Sequence, residues 1–171
     1  TAFGGNFTSR LVTEIREKRG WSYGVSSGIS AGRDSGTLTM RFFPETRDVA
    51  PAVELAGRLF RECAAGGLRE DEVESAVNNL VRQYPFRIET VRKRADEEVA
   101  DLIFRRPAGL SSSFVEKVSA QTPDSVNHAL RLHFRPSDLV SVVVGDSAAL
   151  LDPLSGVYGR DMIDVIDYRH E

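Results

Sequence analysis

Gly4-Gly5-Asn6-Phe7-Thr8-Ser9-Arg10-Leu11-Val12-Thr13-Glu14-Ile15-Arg16-Glu17-Lys18-Arg19-Gly20-Trp21-Ser22-Tyr23-Gly24-Val25 says more about this chain than any other run of residues. Phe7, Leu11 and Ile15 recur every four residues, the spacing that puts side chains on one face of a helix. Arg10 and Glu14 share that interval on another face, which predicts an ion pair between them. Arg16, Glu17, Lys18 and Arg19 then crowd the last turn, where cations suit the negative end of the helix dipole, and Gly20 stands where a glycine C-cap is expected. From Tyr23 the period changes to two, with Tyr23, Val25, Ser27, Ile29 and Ala31 on one face and Gly24, Ser26, Gly28 and Ser30 on the other. The expectation is a short helix, a charged corner and a strand beginning at Tyr23, so that Arg16 and Tyr23 flank one turn and aim at a common point. The small residues of the strand allow another backbone to come close.

Working outward, residues 31–36 read as a turn, and Thr37 to Phe43 sets Leu38, Met40 and Phe42 against Thr37, Thr39 and Arg41, an antiparallel hairpin ended by Pro44. A helix over 47–65 follows, stopped by Gly66-Gly67, with Val49, Val53, Ala56, Phe60 and Cys63 on its apolar face. Cys63 on such a face reads as a buried small hydrophobe rather than a nucleophile. Glu70, Asp71 and Glu72 open the next helix. A third covers 88–105, with Val91, Ala95, Val99, Leu102 and Ile103 as its stripe, and Pro107 closes it. Residues 114–119 form a short helix, and Thr122-Pro123-Asp124 supplies the N-cap and first-turn proline of another. The apolar run from Leu139 to Val144, between Asp138 and Gly145, predicts a strand buried on both faces at the centre of the sheet. This order gives an α+β fold, a mostly antiparallel sheet with helices packed on one face.

The 171 residues suffice for one domain with a sizeable core, and 41% hydrophobic with 27% charged residues is ordinary globular composition. A net charge of −3 argues against nucleic acid or an anionic membrane as partner. Arg92-Lys93-Arg94 is followed by Asp96, Glu97 and Glu98, which makes it a solvated helix face. No apolar run approaches the ~18 residues of a membrane span, so a soluble protein is expected, cytoplasmic ahead of periplasmic. The histidines are His128, His133 and His170. The first two lie five apart on a predicted helix, which separates them by about 140° of rotation and keeps them from sharing a metal as an i,i+4 pair would.

The run from Gly4 to Tyr23, with Gly4-Gly5, Phe7, Ser9-Arg10-Leu11, Arg16-Glu17, Gly20 and Tyr23, resembles the signature of the M16 family of zinc metallopeptidases, the pitrilysin, insulysin and mitochondrial processing peptidase group. The resemblance continues through the acidic helix start at residue 70 and the strand that runs into Gly145-Asp146. It implies an M16 metallopeptidase (LuxS/MPP-like) domain over 1–171, of the C-terminal, non-catalytic type and N-terminally truncated, since the family's first strands and helix would precede Gly4. In that family one half carries the zinc motif His-x-x-Glu-His, and the other reaches across to the substrate with an arginine and a tyrosine seven residues apart. Arg16 and Tyr23 meet that spacing, and no histidine here lies in the zinc motif.

The resemblance therefore implies a substrate-holding half that closes over a peptide. Arg16 and Tyr23 would bind it or stabilise the oxyanion of peptide-bond hydrolysis, with Trp21, Gly4 and Gly5 as further substrate-binding candidates. Zinc would sit in a partner half, on the same polypeptide or a separate subunit, and a sheet short of strands would self-associate. The alternative class is a structural or assembly subunit that has lost peptidase function. Either way the chain alone should hold no catalytic zinc and cleave no peptide, because such a site needs three protein ligands and an activated water. Metal analysis of the purified chain is expected to find no stoichiometric zinc, and chelator-sensitive proteolysis would contradict this.

Overall fold

The computed structural model describes residues 1–32 and 35–167; Arg33 and Asp34 of the expected turn, and His170, lie outside them. A single helical turn, α1 (Arg10–Val12), runs into a π-helical turn over Thr13–Glu17. The hairpin β1 (Val25–Ala31) and β2 (Gly36–Phe42) comes next, paired from Val25 with Phe42 to Ala31 with Gly36. Helices α2 (Val49–Gly66), α3 (Glu70–Arg87), α4 (Val91–Ile103), α5 (Phe114–Ser119), α6 (Pro123–His133) and α7 (Ser147–Tyr158) complete the described order. The result is a helix-rich α+β fold, with a small antiparallel sheet whose inner face packs on the helices.

α2 organises the interior because its apolar residues cover two sides. Leu55, Ala56, Leu59, Phe60 and Cys63 meet Phe3, Leu11, Ile15, Leu68 and Val73, and Val25, Leu38, Met40 and Phe42 of the hairpin close that core from the sheet side. Val49, Ala50 and Val53 turn the other way, onto Leu150 and Leu154 of α7. Leu11 and Ile15 are fully buried, so truncating either to alanine falls in the class that costs about 2–5 kcal/mol. Cys63 is also fully buried, and burial pushes its thiol up to about 11. It is an inert core residue, as its helical face predicts.

A partly buried ion pair joins the opening motif to the helices. Arg10 Nη2 lies 2.6 Å from Glu72 Oε2 and its Nε donates to Oε1 at 2.9 Å, while Nη2 also donates to the Gly67 carbonyl at 3.2 Å. Glu72 accepts from the Arg69 backbone N–H at 2.8 Å as well, the bond by which a residue in the first turn of α3 satisfies the N–H of the N-cap. The expected Arg10–Glu14 pair is not formed. Arg10 turns inward to α3, and Glu14 instead takes Lys18 at 2.5 Å and Arg19 at 2.7 Å. The helix is one turn long and then widens, so the ideal i,i+4 register does not persist. Phe7 also departs from its expected inward face, because the helix starts only at Arg10 and Phe7 is left exposed.

Three further expectations are corrected. β1 begins at Val25, so Tyr23 precedes the ladder. No residue of α4 is buried, and Val91, Val99, Leu102 and Ile103 stand exposed; its amphipathic period marks a face able to be covered, without supplying the cover. Residues 139–144 have no ladder partner among the described residues. Leu139 and Val143 turn inward onto the two cores, but Val140, Val142 and Val144 are 81%, 84% and 95% exposed. The segment is thus buried on one side rather than two. α7 has no counterpart in the sequence reading: Asp146 caps it through the Ala148 N–H at 2.9 Å, and Pro153 in its interior masks the helical signal.

The Arg10–Glu72 pair gives a stability prediction. The side chains are 15% and 11% exposed, so Arg10→Ala should cost about 2–3 kcal/mol, somewhat below the ~3–5 of a fully buried pair. Burial works against the Glu72 charge, yet the Arg10 hydrogen bonds, the Arg69 N–H and both guanidinium charges outweigh it and hold the carboxyl below its ordinary 4.5. A depressed carboxyl contributes its stability above the unfolded value and loses it as pH falls through the folded one. Urea denaturation of wild type and Glu72→Gln should therefore show a gap that is full at about pH 6 and shrinks towards about pH 3. A constant gap would contradict the assignment.

Candidate functional site

The corner between the π-helical turn and β1 is built by backbone hydrogen bonds. Lys18 N–H reaches back five residues to the Thr13 carbonyl at 3.0 Å, the bond that defines the wide turn. Gly20 has φ +64°, its N–H donates to the Arg16 carbonyl at 2.9 Å, and Trp21 N–H donates to the Ile15 carbonyl at 3.1 Å. The Gly20 bond is an αL cap whose left-handed position explains the glycine, and the Trp21 bond encloses it one residue wider than a Schellman bond. Buried Ser22 then fixes the chain on the far side, its Oγ donating to the Gly24 carbonyl at 2.8 Å and accepting from Phe43 N–H at 2.8 Å.

On this frame Arg16 and Tyr23 come together. The Arg16 guanidinium carbon stands 4.6 Å from the centre of the Tyr23 ring and 5.0 Å from that of Phe7, so the cation lies against two aromatic faces. Its Nε is 3.3 Å from Glu17 Oε1. Each cation–π contact at such an exposed place is worth about 0.5–1 kcal/mol, enough to bias the rotamer and too little to lock it. Tyr23 is 85% exposed. The arrangement presents guanidinium N–H donors and a phenol O–H on one open surface, chemistry suited to a carbonyl oxygen or a carboxylate.

The other candidates divide. Trp21 is half-buried against the main core, with the Arg19 guanidinium 5.4 Å from its ring centre. Gly4 approaches β1, its carbonyl accepting from Ser27 N–H at 2.6 Å, and an added Cβ would meet Ser27 Oγ at 2.5 Å. Gly5 folds onto Thr1, with 2.7 Å from an added Cβ to its Cα. Both glycines are required by close backbone packing, which the sequence signals only as a glycine pair. Phe7 is the member of the cluster that a core assignment hides. His128 and His133 are exposed, and among the described residues no group of three or more His, Cys, Asp or Glu is placed to hold a metal. The described residues do not fit a zinc site.

A short helix, a capped glycine corner and a hairpin on a helical layer carry an exposed arginine–tyrosine pair. Residues 1–80 match the family described as Peptidase M16 inactive domain. Among curated proteins, the non-peptidase homolog YmxG of Helicobacter pylori is 25% identical over 84% of this chain and 33% of its own length. An uncharacterized zinc protease of Mycobacterium leprae is 34% identical over 47% of this chain and 18% of its own. This chain thus spans a third or less of these relatives. Among solved structures, a peptidase M16 inactive domain from Pseudomonas fluorescens superposes with a TM-score of 0.70 at 23% identity, covering 79% of this chain and 32% of that one. The periplasmic protease PqqL of Escherichia coli gives 0.60 at 22% identity over 71% and 14%. These likenesses establish a shared fold. No helix among the described residues is long and apolar enough to cross a membrane.

Proposed function

We propose that this chain is a substrate-holding part of an M16-type zinc metalloendopeptidase, closing over a peptide opposite a half that bears His-x-x-Glu-His. The observation that carries this reading is the Arg16 guanidinium held between Phe7 and Tyr23 at an open surface, inside the run matched to the M16 inactive domain. Arg16 would donate paired N–H bonds, and Tyr23 its hydroxyl, to the carbonyl oxygen of the bound peptide. As negative charge grows on that oxygen these bonds strengthen, which is electrostatic assistance without a covalent step. Zinc belongs, in this reading, to the partner half, where it would supply the activated water.

The second reading is an assembly subunit without peptidase function. The match to a relative named a non-peptidase homolog, over 84% of this chain, favours it. The two readings part at Arg16 and Tyr23. In the complete enzyme, Arg16→Ala and Tyr23→Phe should each lower kcat on the order of ten- to a thousandfold, with little change in unfolding midpoint because Tyr23 is exposed and each cation–π contact of the half-buried Arg16 is worth only about 0.5–1 kcal/mol. Wild-type turnover by both variants, measured with the zinc-bearing half present, would hand the case to the assembly reading.

Self-association belongs to the same proposal. The exposed valines at 140, 142 and 144 lie on an extended segment that pairs with no strand among the described residues, a template for pairing with another strand. Light scattering over a dilution series should report a species larger than the monomer at micromolar concentration. A monomer that binds no apolar dye would refute this part alone.

A further inference from the structure

We infer that the groove between loop 5–8 and α3 receives an acidic side chain of an extended peptide, with Arg82 taking the carboxylate. The inference rests on the peptide-holding reading of the Arg16 surface, which it extends to sequence preference.

The groove encloses about 700 Å³, within the ~300–1,000 Å³ range of sites that hold small ligands or a few side chains. Its floor is one face of α3, where Asn78, Asn79, Arg82 and Gln83 follow helical spacing, and exposed Phe7 and Phe86 stand at its margins. Among the described residues, none of the four polar side chains has a hydrogen-bond or ion-pair partner. Carboxamides offer both donors and acceptors, which is what an extended peptide backbone needs from a wall.

The neighbouring hollow makes the contrast. It shares Thr8 and Ser75 with the groove, but its charges are already matched: Arg10 with Glu72, Arg69 with Asp71 at 3.0 Å, and Lys18 with Glu14. Arg82 is different, a cation without a carboxylate among the described residues. Charge complementarity therefore selects an acidic group. Continuity selects a peptide as its carrier, because Phe7 both lines the groove and backs the Arg16 guanidinium. A chain lying across Arg16 and Tyr23 passes over Phe7 and into the groove, placing one of its side chains against Arg82.

The test is an NMR titration of the ¹⁵N-labelled chain with two capped peptides, acetyl-Ala-Ser-Glu-Phe-Ser-Ala-amide and its counterpart with glutamine in place of glutamate. The glutamate peptide should shift the side-chain amides of Asn78, Asn79 and Gln83 and the backbone amides of Phe7 and Thr8 saturably. Its midpoint should be roughly three- to tenfold lower than that of the glutamine peptide, the range expected for a charge-assisted contact at an open surface. Arg82 is exposed and unpaired, so Arg82→Gln should keep the fold and bring the two midpoints together, with the gap also shrinking as salt is added. Equal midpoints in the wild type, with shifts confined to residues 16 and 21–24, would overturn the groove and leave the peptide-holding reading standing. A gap that survives Arg82→Gln would overturn the assignment to Arg82. No shift with either peptide at millimolar concentration would overturn both the groove and the reading beneath it.

Discussion

One carboxylate, that of Glu72, holds the opening motif to the helical layer. It takes both arms of Arg10 and the N–H of Arg69, and Arg10 in turn reaches the Gly67 carbonyl. The corner this secures is held from the far side by α6: Leu68 N–H donates to Asn127 Oδ1 at 2.7 Å, and Asn127 Nδ2 returns a bond to the Leu68 carbonyl at 3.0 Å. Gly67 has φ +76°, and an added Cβ would meet Asn127 Oδ1 at 2.5 Å, so glycine is needed both for conformation and for space. Three segments distant in sequence thus meet around one pair of charges. These partly buried charges are matched by one another and by backbone groups, the condition under which such a pair specifies a geometry rather than only costing desolvation. The positions of Arg16 and of the α3 groove both follow from it, since the first lies one turn beyond α1 and the second is the continuation of α3.

Much of this was legible in sequence where a signal is local. The glycine cap at Gly20, the hairpin with Leu38, Met40 and Phe42 inward, the α2 face ending at Cys63 and the Thr122 cap of α6 each depend on residues within a few positions of one another. The misreadings share a different cause. Arg10 and Glu14 are adjacent only on an ideal helix, whereas Glu72, sixty-two residues away, is the better partner because packing has already brought it there. The valines of 139–144 and the stripe of α4 announce surfaces that can be covered, and periodicity has no term for whether a neighbour covers them. Residues 147–158 received no reading from the sequence, and there the Asp146 cap and burial of Leu150 and Leu154 prevail over the interior Pro153.

The candidate site was legible in part for the same reason. The interval from Arg16 to Tyr23 is a sequence property, and the structure brings the pair into contact across a corner whose backbone bonds are short-range. Phe7 was assigned to the core by its four-residue spacing, yet the helix begins three residues later and the ring becomes the second face against Arg16. The groove on α3 gave no motif at all. Asparagine, arginine and glutamine on a helix ordinarily face water, and what distinguishes Arg82 here is the absence of a partner among the described residues beside a hollow whose other charges are paired.

The exposure of Tyr23 bears on how such a surface could work. A donor in bulk water exchanges one hydrogen bond for another and gains little, because the dielectric that weakens its attraction to a carbonyl oxygen also solvates it. The same donor in a closed, water-poor space acts at far greater strength, and its orientation is worth most if it is fixed beforehand. Two aromatic faces and Glu17 bias Arg16 towards the second condition without locking it, and it does not meet the first. Closure has to come from another surface laid over Phe7, Arg16 and Tyr23. In the proposed function, then, the pair is a half-site: biased towards one orientation in this chain, and strong only when a partner or a second domain excludes the water above it.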